Sequence, residues 1–158
     1  MGSMKTRKTF GLTLALCLLA ATASFAADPQ MGTWKLNAAK SKLPRGMTKN
    51  HTVVYSSFLG TAKVIVDGTT ADGKPAHNEW SGKFDGKFYP VTGDPTSDAR
   101  SYKQVNANTL ALSTQKSGKV TATGRVVVSA DGKTRTVTVN GKDPKGKKFK
   151  SVGVYDKA

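Results

Sequence analysis

Two histidines, His51 and His77, and a single glutamate, Glu79, are the residues whose chemistry could reach beyond packing in this 158-residue chain. His77 and Glu79 are two apart, so on an extended strand they share one face, about 6–7 Å from each other. That pair is half of a metal site, with His51 as a conceivable third ligand. Zinc recruits three or four such ligands, so a pair on a solvent face reads as polar surface unless the fold brings His51 to it. The expectation is no bound metal and no cofactor. Glu79 could also serve as a base within a barrel if other polar groups converged there. Nearly every aspartate stands in a turn, which leaves no carboxylate pair for hydrolysis. No nucleophile elbow, phosphate loop or dinucleotide fingerprint occurs, and Gly82-Lys83-Phe84-Asp85-Gly86-Lys87 is turn chemistry. A binding protein is expected rather than an enzyme.

The elements that must position these residues read as strands. After Ala27 no stretch carries a 3.6-residue period. Short runs of Val, Thr, Tyr and Phe alternate with Asp-Gly, Asn-Gly and Ser-Gly pairs, four of them Asp-Gly: Asp67-Gly68, Asp72-Gly73, Asp85-Gly86 and Asp131-Gly132. These pairs accept the positive φ of tight hairpin turns. The strands expected between them are 31–36, 51–57, 61–67, 76–84, 87–91, 100–105, 109–115, 119–130, 133–140 and 147–155. Period-2 alternation sets Ala62, Val64 and Val66 on one face. It does the same for Trp80, Gly82 and Phe84, for Leu110 and Leu112, and for Val137 and Val139. About ten sequential strands with short connections favour an all-β, antiparallel up-and-down barrel of about 8–10 strands, because closure removes the exposed edges. A β-sandwich is the alternative, with longer crossovers hidden in 37–50 or 92–100.

The beginning of the chain has a different character. Lys5, Arg7 and Lys8 precede an apolar run from Phe10 to Ala21, and Ser24 and Ala26 supply the small residues of a peptidase site. This predicts a signal peptide over 1–26, cleaved after Ala26, and a single domain over 27–158 in the periplasm or outside the cell. The apolar run is short for a membrane span, which needs about 20 residues. Cys17, the only cysteine, leaves with the leader.

Charge is the strongest compositional bias: 25 Lys+Arg against 10 Asp+Glu, a formal +15. Three of the positive residues belong to the leader. The remainder is Lys-rich and Arg-poor, with only Arg45, Arg100, Arg125 and Arg135 after Ala26. Nucleic-acid readers use arginine with aromatics interleaved on one exposed face, so no specific nucleic-acid partner is expected. Lysines on strands protect against edge pairing and give weak attraction to an anionic envelope lipid or polysaccharide surface.

Gly32-Thr33-Trp34-Lys35-Leu36 places Gly-x-Trp at the entry to the first strand of a β-meander. This resembles the signature of the lipocalins, within the calycin superfamily. Gly32 to Asn37 with Lys40-Ser41, together with Phe84 to Gly93, further resembles small exported bacterial proteins of unassigned activity with lipocalin-like folds. The resemblance implies that Gly32 and Trp34 form a barrel-floor motif, with a basic side chain covering the indole. Arg135, Lys148 and Lys150 are the candidates for that cation. It also implies a monomer with an internal cavity for a small apolar or amphipathic molecule. Alternation places Trp80, Phe84, Tyr89, Leu110 and Leu112 along such a cavity, and Arg100 and Tyr102 where they could hold an acidic head group.

Overall fold

The computed structural model describes residues 27–158. The leader expected over 1–26, Cys17 included, lies outside the described residues. Ten strands follow one another: β1 (Gly32–Leu36), β2 (Lys49–Phe58), β3 (Thr61–Thr69), β4 (Pro75–Gly82), β5 (Tyr89–Thr92), β6 (Ala99–Asn106), β7 (Thr109–Lys116), β8 (Lys119–Val128), β9 (Thr134–Lys142) and β10 (Lys148–Lys157). Each pairs antiparallel with the next, and β10 returns to β1, closing a barrel. The sandwich alternative is thereby set aside. Residues 37–50 and 92–100 hold local connections and strand ends instead of crossovers.

The register explains why alternating residues form one core. Trp34 lies opposite Val53, Val53 opposite Val66, Tyr102 opposite Leu112, and Val126 opposite Val137. Cross-strand neighbours share a face, so the buried apolar residues of successive strands meet on the inner face. Lys35, Lys63, His77, Glu79 and Arg125 fall on the outer face. Apolar inside and charged outside is the reverse of a membrane-spanning barrel.

Two Asp-Gly pairs do other work than the sequence suggests. Asp67-Gly68 lies within β3, opposite a bulge between Asn50 and Thr52. A Cβ on Gly68 would come within 2.1 Å of the Lys49 carbonyl oxygen, so the glycine permits that close approach. Asp85-Gly86 keeps the register of the expected hairpin, since Trp80 faces Val91, but the ladder opens after Trp80. Residues 84–86 turn onto β6 instead, through Gly86 N to Tyr102 O (2.8 Å) and Gln104 N to Phe84 O (3.1 Å). The short β5 leaves part of β6 uncovered, and this segment covers it.

The up-and-down order gives the barrel two ends. The floor end carries the segment before Gly32, the turns at 58–60, 83–88, 106–108 and 129–133, and the end of β10. The mouth end carries 37–48, 70–74, 93–98, 117–118 and 143–147. At the floor, the β2–β3 turn puts Leu59 at φ 48° and Gly60 at φ 77°. Both central residues of such a turn need positive φ, which suits Asn-Gly and disfavours leucine. Leu59→Asn is expected to raise stability by up to about 1 kcal/mol, read as a higher denaturation midpoint; a lower midpoint would mean the leucine packs on something that matters.

Candidate functional site

The floor is built on Trp34, which is fully buried. Its indole N–H donates to the Gln30 carbonyl (2.9 Å), and the Gln30 amide donates to the Asn108 carbonyl (3.2 Å). The N-terminal segment is thereby tied across the end of the barrel to the β6–β7 turn. Gly32 has φ 110°, a conformation in which any side chain would be strained, and a Cβ there would also press on Lys157 Cε at 3.0 Å. Of the three expected cations, Arg135 is the one at the indole, with its guanidinium carbon 6.0 Å from the ring centroid. Lys148 and Lys150 stand at the mouth end of β10. Lys157, one rung from Trp34, supplies a second cation at 4.9 Å.

Of the expected cavity lining, Trp80, Tyr102 and Leu110 all point inward, and all three are sealed from solvent. Trp80 stacks on Phe84 (6.3 Å between centroids) and meets Tyr89 (5.8 Å) and Tyr102 (4.8 Å) edge-on. Tyr55 joins through Tyr102 and Phe84. The Trp80 indole donates to the Arg100 carbonyl (2.8 Å). Phe84, Tyr89 and Leu112 are partly buried against this cluster. The aromatic half of the interior, under β2 to β6, is therefore solid packing.

Arg100 is buried on the same inner face, and its Nη2 reaches Asp94 Oδ2 (3.3 Å) and Asn78 Oδ1 (3.2 Å). Burial works to raise the Asp94 carboxyl, but hydrogen bonds from Ser97 and Thr96 and the Arg100 charge hold it below the ordinary value. A carboxylate depressed in this way contributes stability that is complete above the unfolded value of about 3.9. That contribution is lost as pH falls through the lower folded value. Asp94→Asn is expected to destabilise by about 2 kcal/mol, the scale of a charged hydrogen bond, with a smaller penalty at pH 3 than at pH 7 in denaturation experiments. Equal penalties at both pH values would refute this account.

Arg135 differs from Arg100. It is also buried on the inner face, at 3% exposure. Its Nη2 donates to the Tyr55 hydroxyl (2.7 Å), while Nε and Nη1 meet no protein acceptor. The guanidinium lies 4.5 Å from the Tyr55 ring centroid and 5.6 Å from that of Tyr155. Among the described residues no carboxylate pairs with it. Burial pushes the Tyr55 hydroxyl well above its ordinary value, against the pull of the Arg135 charge, so Tyr55 stays neutral. Arginine remains protonated in proteins, so this part of the barrel holds an uncompensated positive charge. Sequence reading placed Arg135 only as a cover for Trp34, and it passed over Tyr55, Tyr155 and Asn78. The inward parity of Arg135 with Val137 and Val139 was the available signal.

The histidine and glutamate lie on the outside. His77 Nδ1 meets Asp67 Oδ1 (2.6 Å), His77 Nε2 meets Glu79 Oε1 (3.2 Å), and Glu79 Oε2 pairs with Lys63 (2.9 Å). His51 bonds Thr69 instead (2.7 Å). Among the described residues no three His, Cys, Asp or Glu side chains are arranged to hold a metal. A metal site of His51, His77 and Glu79 is not formed, and neither is an interior base at Glu79. The outward parity of β4 is the reason. The hydrogen bonds with Asp67 and Glu79 raise the His77 pKa above its ordinary value. The stability from this protonated pair is complete below about pH 6.5 and is lost as pH rises through the raised folded value. NMR titration is expected to show His77 titrating above 6.5 and moving down in Glu79→Gln; an unchanged midpoint would refute the contact.

Burial fades along the other half of the interior. On β8 to β10 the floor residues Val126, Val128, Arg135 and Tyr155 are buried, and towards the mouth Ala122, Gly124, Val139, Gly141, Phe149 and Ser151 are only half-buried. Small side chains leave that half open. Two open depressions lie at the mouth end. One, of about 680 Å³, spans Ala122, Gly141 and Phe149 with Lys142, Lys148 and Lys150, and the other, of about 460 Å³, runs from Leu43 to Met47 and includes His51.

The chain is a closed ten-stranded antiparallel up-and-down barrel with Trp34 buried at its floor. No protein-family model matches the chain, and no curated protein matches it. A solved structure of a redesigned β-barrel, mFAP1, bound to DFHBI, is similar at 14% identity over 84% of this chain and 100% of that one, with a TM-score of 0.43. The fold itself rests on the ladder of this chain.

Proposed function

We propose that the barrel binds a small amphipathic molecule with an acidic group, admitted at the mouth along β7 to β10. The observation that carries this reading is Arg135: a buried guanidinium with two unpartnered nitrogens, Nε and Nη1, and no carboxylate partner among the described residues. A buried charge without a partner is costly, and a ligand carboxylate would pair with it through charge-assisted hydrogen bonds. Half-buried Leu112, Val137 and Val139 offer apolar surface to the rest of the molecule. Arg100 already has Asp94, so the head-group role passes from Arg100 and Tyr102 to Arg135. The mouth carries Lys42, Arg45, Lys49, Lys116, Lys145 and Lys148 among its cations, which raises the local concentration of anions. Export through the leader would place this binder in the periplasm or outside the cell.

The test is displacement of a dansylated fatty acid, with the alcohol of equal chain length as control. The acid is expected to bind at least tenfold tighter than the alcohol. Equal affinities, or no binding of either, would overturn the proposal.

A further inference from the structure

Six large hydrophobic side chains among the described residues are exposed, and five of them, Phe58, Leu59, Phe88, Val105 and Val127, stand at the floor end. Phe58 and Leu59 are the extreme pair, at 77% and 88% exposure on the tip of the β2–β3 hairpin. Nothing in the fold calls for them there. Leucine is disfavoured at the positive φ of Leu59, and neither side chain is part of the core. Ser56, Ser57 and Thr61 stand directly behind the tip, so its apolar part is two residues deep.

The occupant follows from area and charge. Two such side chains offer on the order of 300 Å², far below the roughly 1,200–2,000 Å² of a stable protein interface. A convex tip of that size does not hold a second copy of the chain. A bilayer needs no complementary shape. Spread over the floor end, Lys83, Lys87, Lys103 and Lys133 have no ion-pair partner among the described residues. The carboxylates at this end include Asp28, Asp85 and Asp131, which accept local hydrogen bonds from their own turns, and Asp156, which accepts from the Asn37 amide. Apolar insertion combined with lysines at head-group depth is the two-signal pattern of a peripheral membrane contact. We infer that the floor end seats on a phospholipid bilayer, with Phe58 and Leu59 passing between the head groups and the mouth facing away.

The test is flotation with vesicles of phosphatidylcholine and phosphatidylglycerol. It uses a chain beginning at Ala27, which contains every strand of the closed barrel. The paired variant Phe58→Ser with Leu59→Asn is expected to lose at least tenfold in partitioning while keeping its circular dichroism. Asparagine suits the turn, so misfolding does not obscure the result. Phe58→Trp is expected to shift its emission to the blue on binding and to be quenched by brominated acyl chains. Full retention of binding by the paired variant, or absence of binding by the parent chain, would overturn the inference. So would loss of binding in a mouth variant with Lys145, Lys147 and Lys148 changed to Gln while the tip variant still floats. Concentration-dependent dimerisation abolished by the paired variant would overturn it in favour of a second copy.

Discussion

Trp80→Ala is expected to cost about 3–5 kcal/mol, a large share of the roughly 5–15 kcal/mol that holds a domain together. The indole is the hub of the solid half of the barrel. It contacts Phe84, Tyr89 and Tyr102, and its N–H holds the β6 backbone at Arg100. It also packs over Gly82, where a Cβ would meet Trp80 and Tyr89 ring carbons within 2.7 Å. Cavities between rings of this kind collapse poorly, because their neighbours belong to closed strands that cannot move together. The shift in chemical denaturation midpoint measures the cost. A loss below about 1 kcal/mol, the level of a surface change, would mean that the interior is loose and that Trp80 lines a cavity after all.

Arg135→Met carries the second large effect, and its two readouts are expected to move in opposite directions. Affinity for the dansylated acid should fall at least tenfold, the equivalent of about 1.4 kcal/mol, while affinity for the neutral alcohol changes little. Stability should rise by about 1 kcal/mol, because an unpaired buried charge is replaced by an apolar side chain of similar length. The gain stays small because the Tyr55 hydroxyl loses its donor and three rings lose a cation. Arg100→Met should do the reverse and destabilise, since it strands Asp94. Groups held against their own stability are found where function requires them. If Arg135→Met were instead destabilised by several kcal/mol with acid binding intact, Arg135 would be a brace for Trp34 and nothing more.

The two substitutions separate the halves of the interior. Under β2 to β6 the barrel is filled by its own aromatic rings, and Trp80, Tyr102 and Leu110 reach a ligand only if that packing opens. Under β8 to β10 the small or half-buried Ala122, Gly124, Val139, Gly141 and Ser151 line the inner face between Arg135 and the mouth. A ligand site in this protein is therefore one-sided, with a rigid aromatic wall opposite a smaller and wetter one.

Strand order, parity and closure were legible in the sequence, because β-structure writes a local signal. A period of two fixes which residues share a face, and turn residues mark where each strand stops. The shared faces of β3, β4, β7 and β9 followed from those rules, whereas the floor role of Gly32 and Trp34 came from the resemblance of Gly-x-Trp to the lipocalin signature. Parity, however, says that a side chain points inward without saying how full the inside is. Whether Trp80 and Tyr102 enclose space or occupy it depends on ring volumes meeting across the barrel, from strands far apart in sequence. The same limit applied to charge. Arg100 and Arg135 look alike in the sequence, and only the tertiary structure decided that one faces Asp94 and Asn78 while the other faces three aromatic rings and no carboxylate. It likewise decided that Asp85-Gly86 folds onto β6, because the uncovered backbone of β6 at Tyr102 lies sixteen residues beyond Gly86, out of reach of any local pattern.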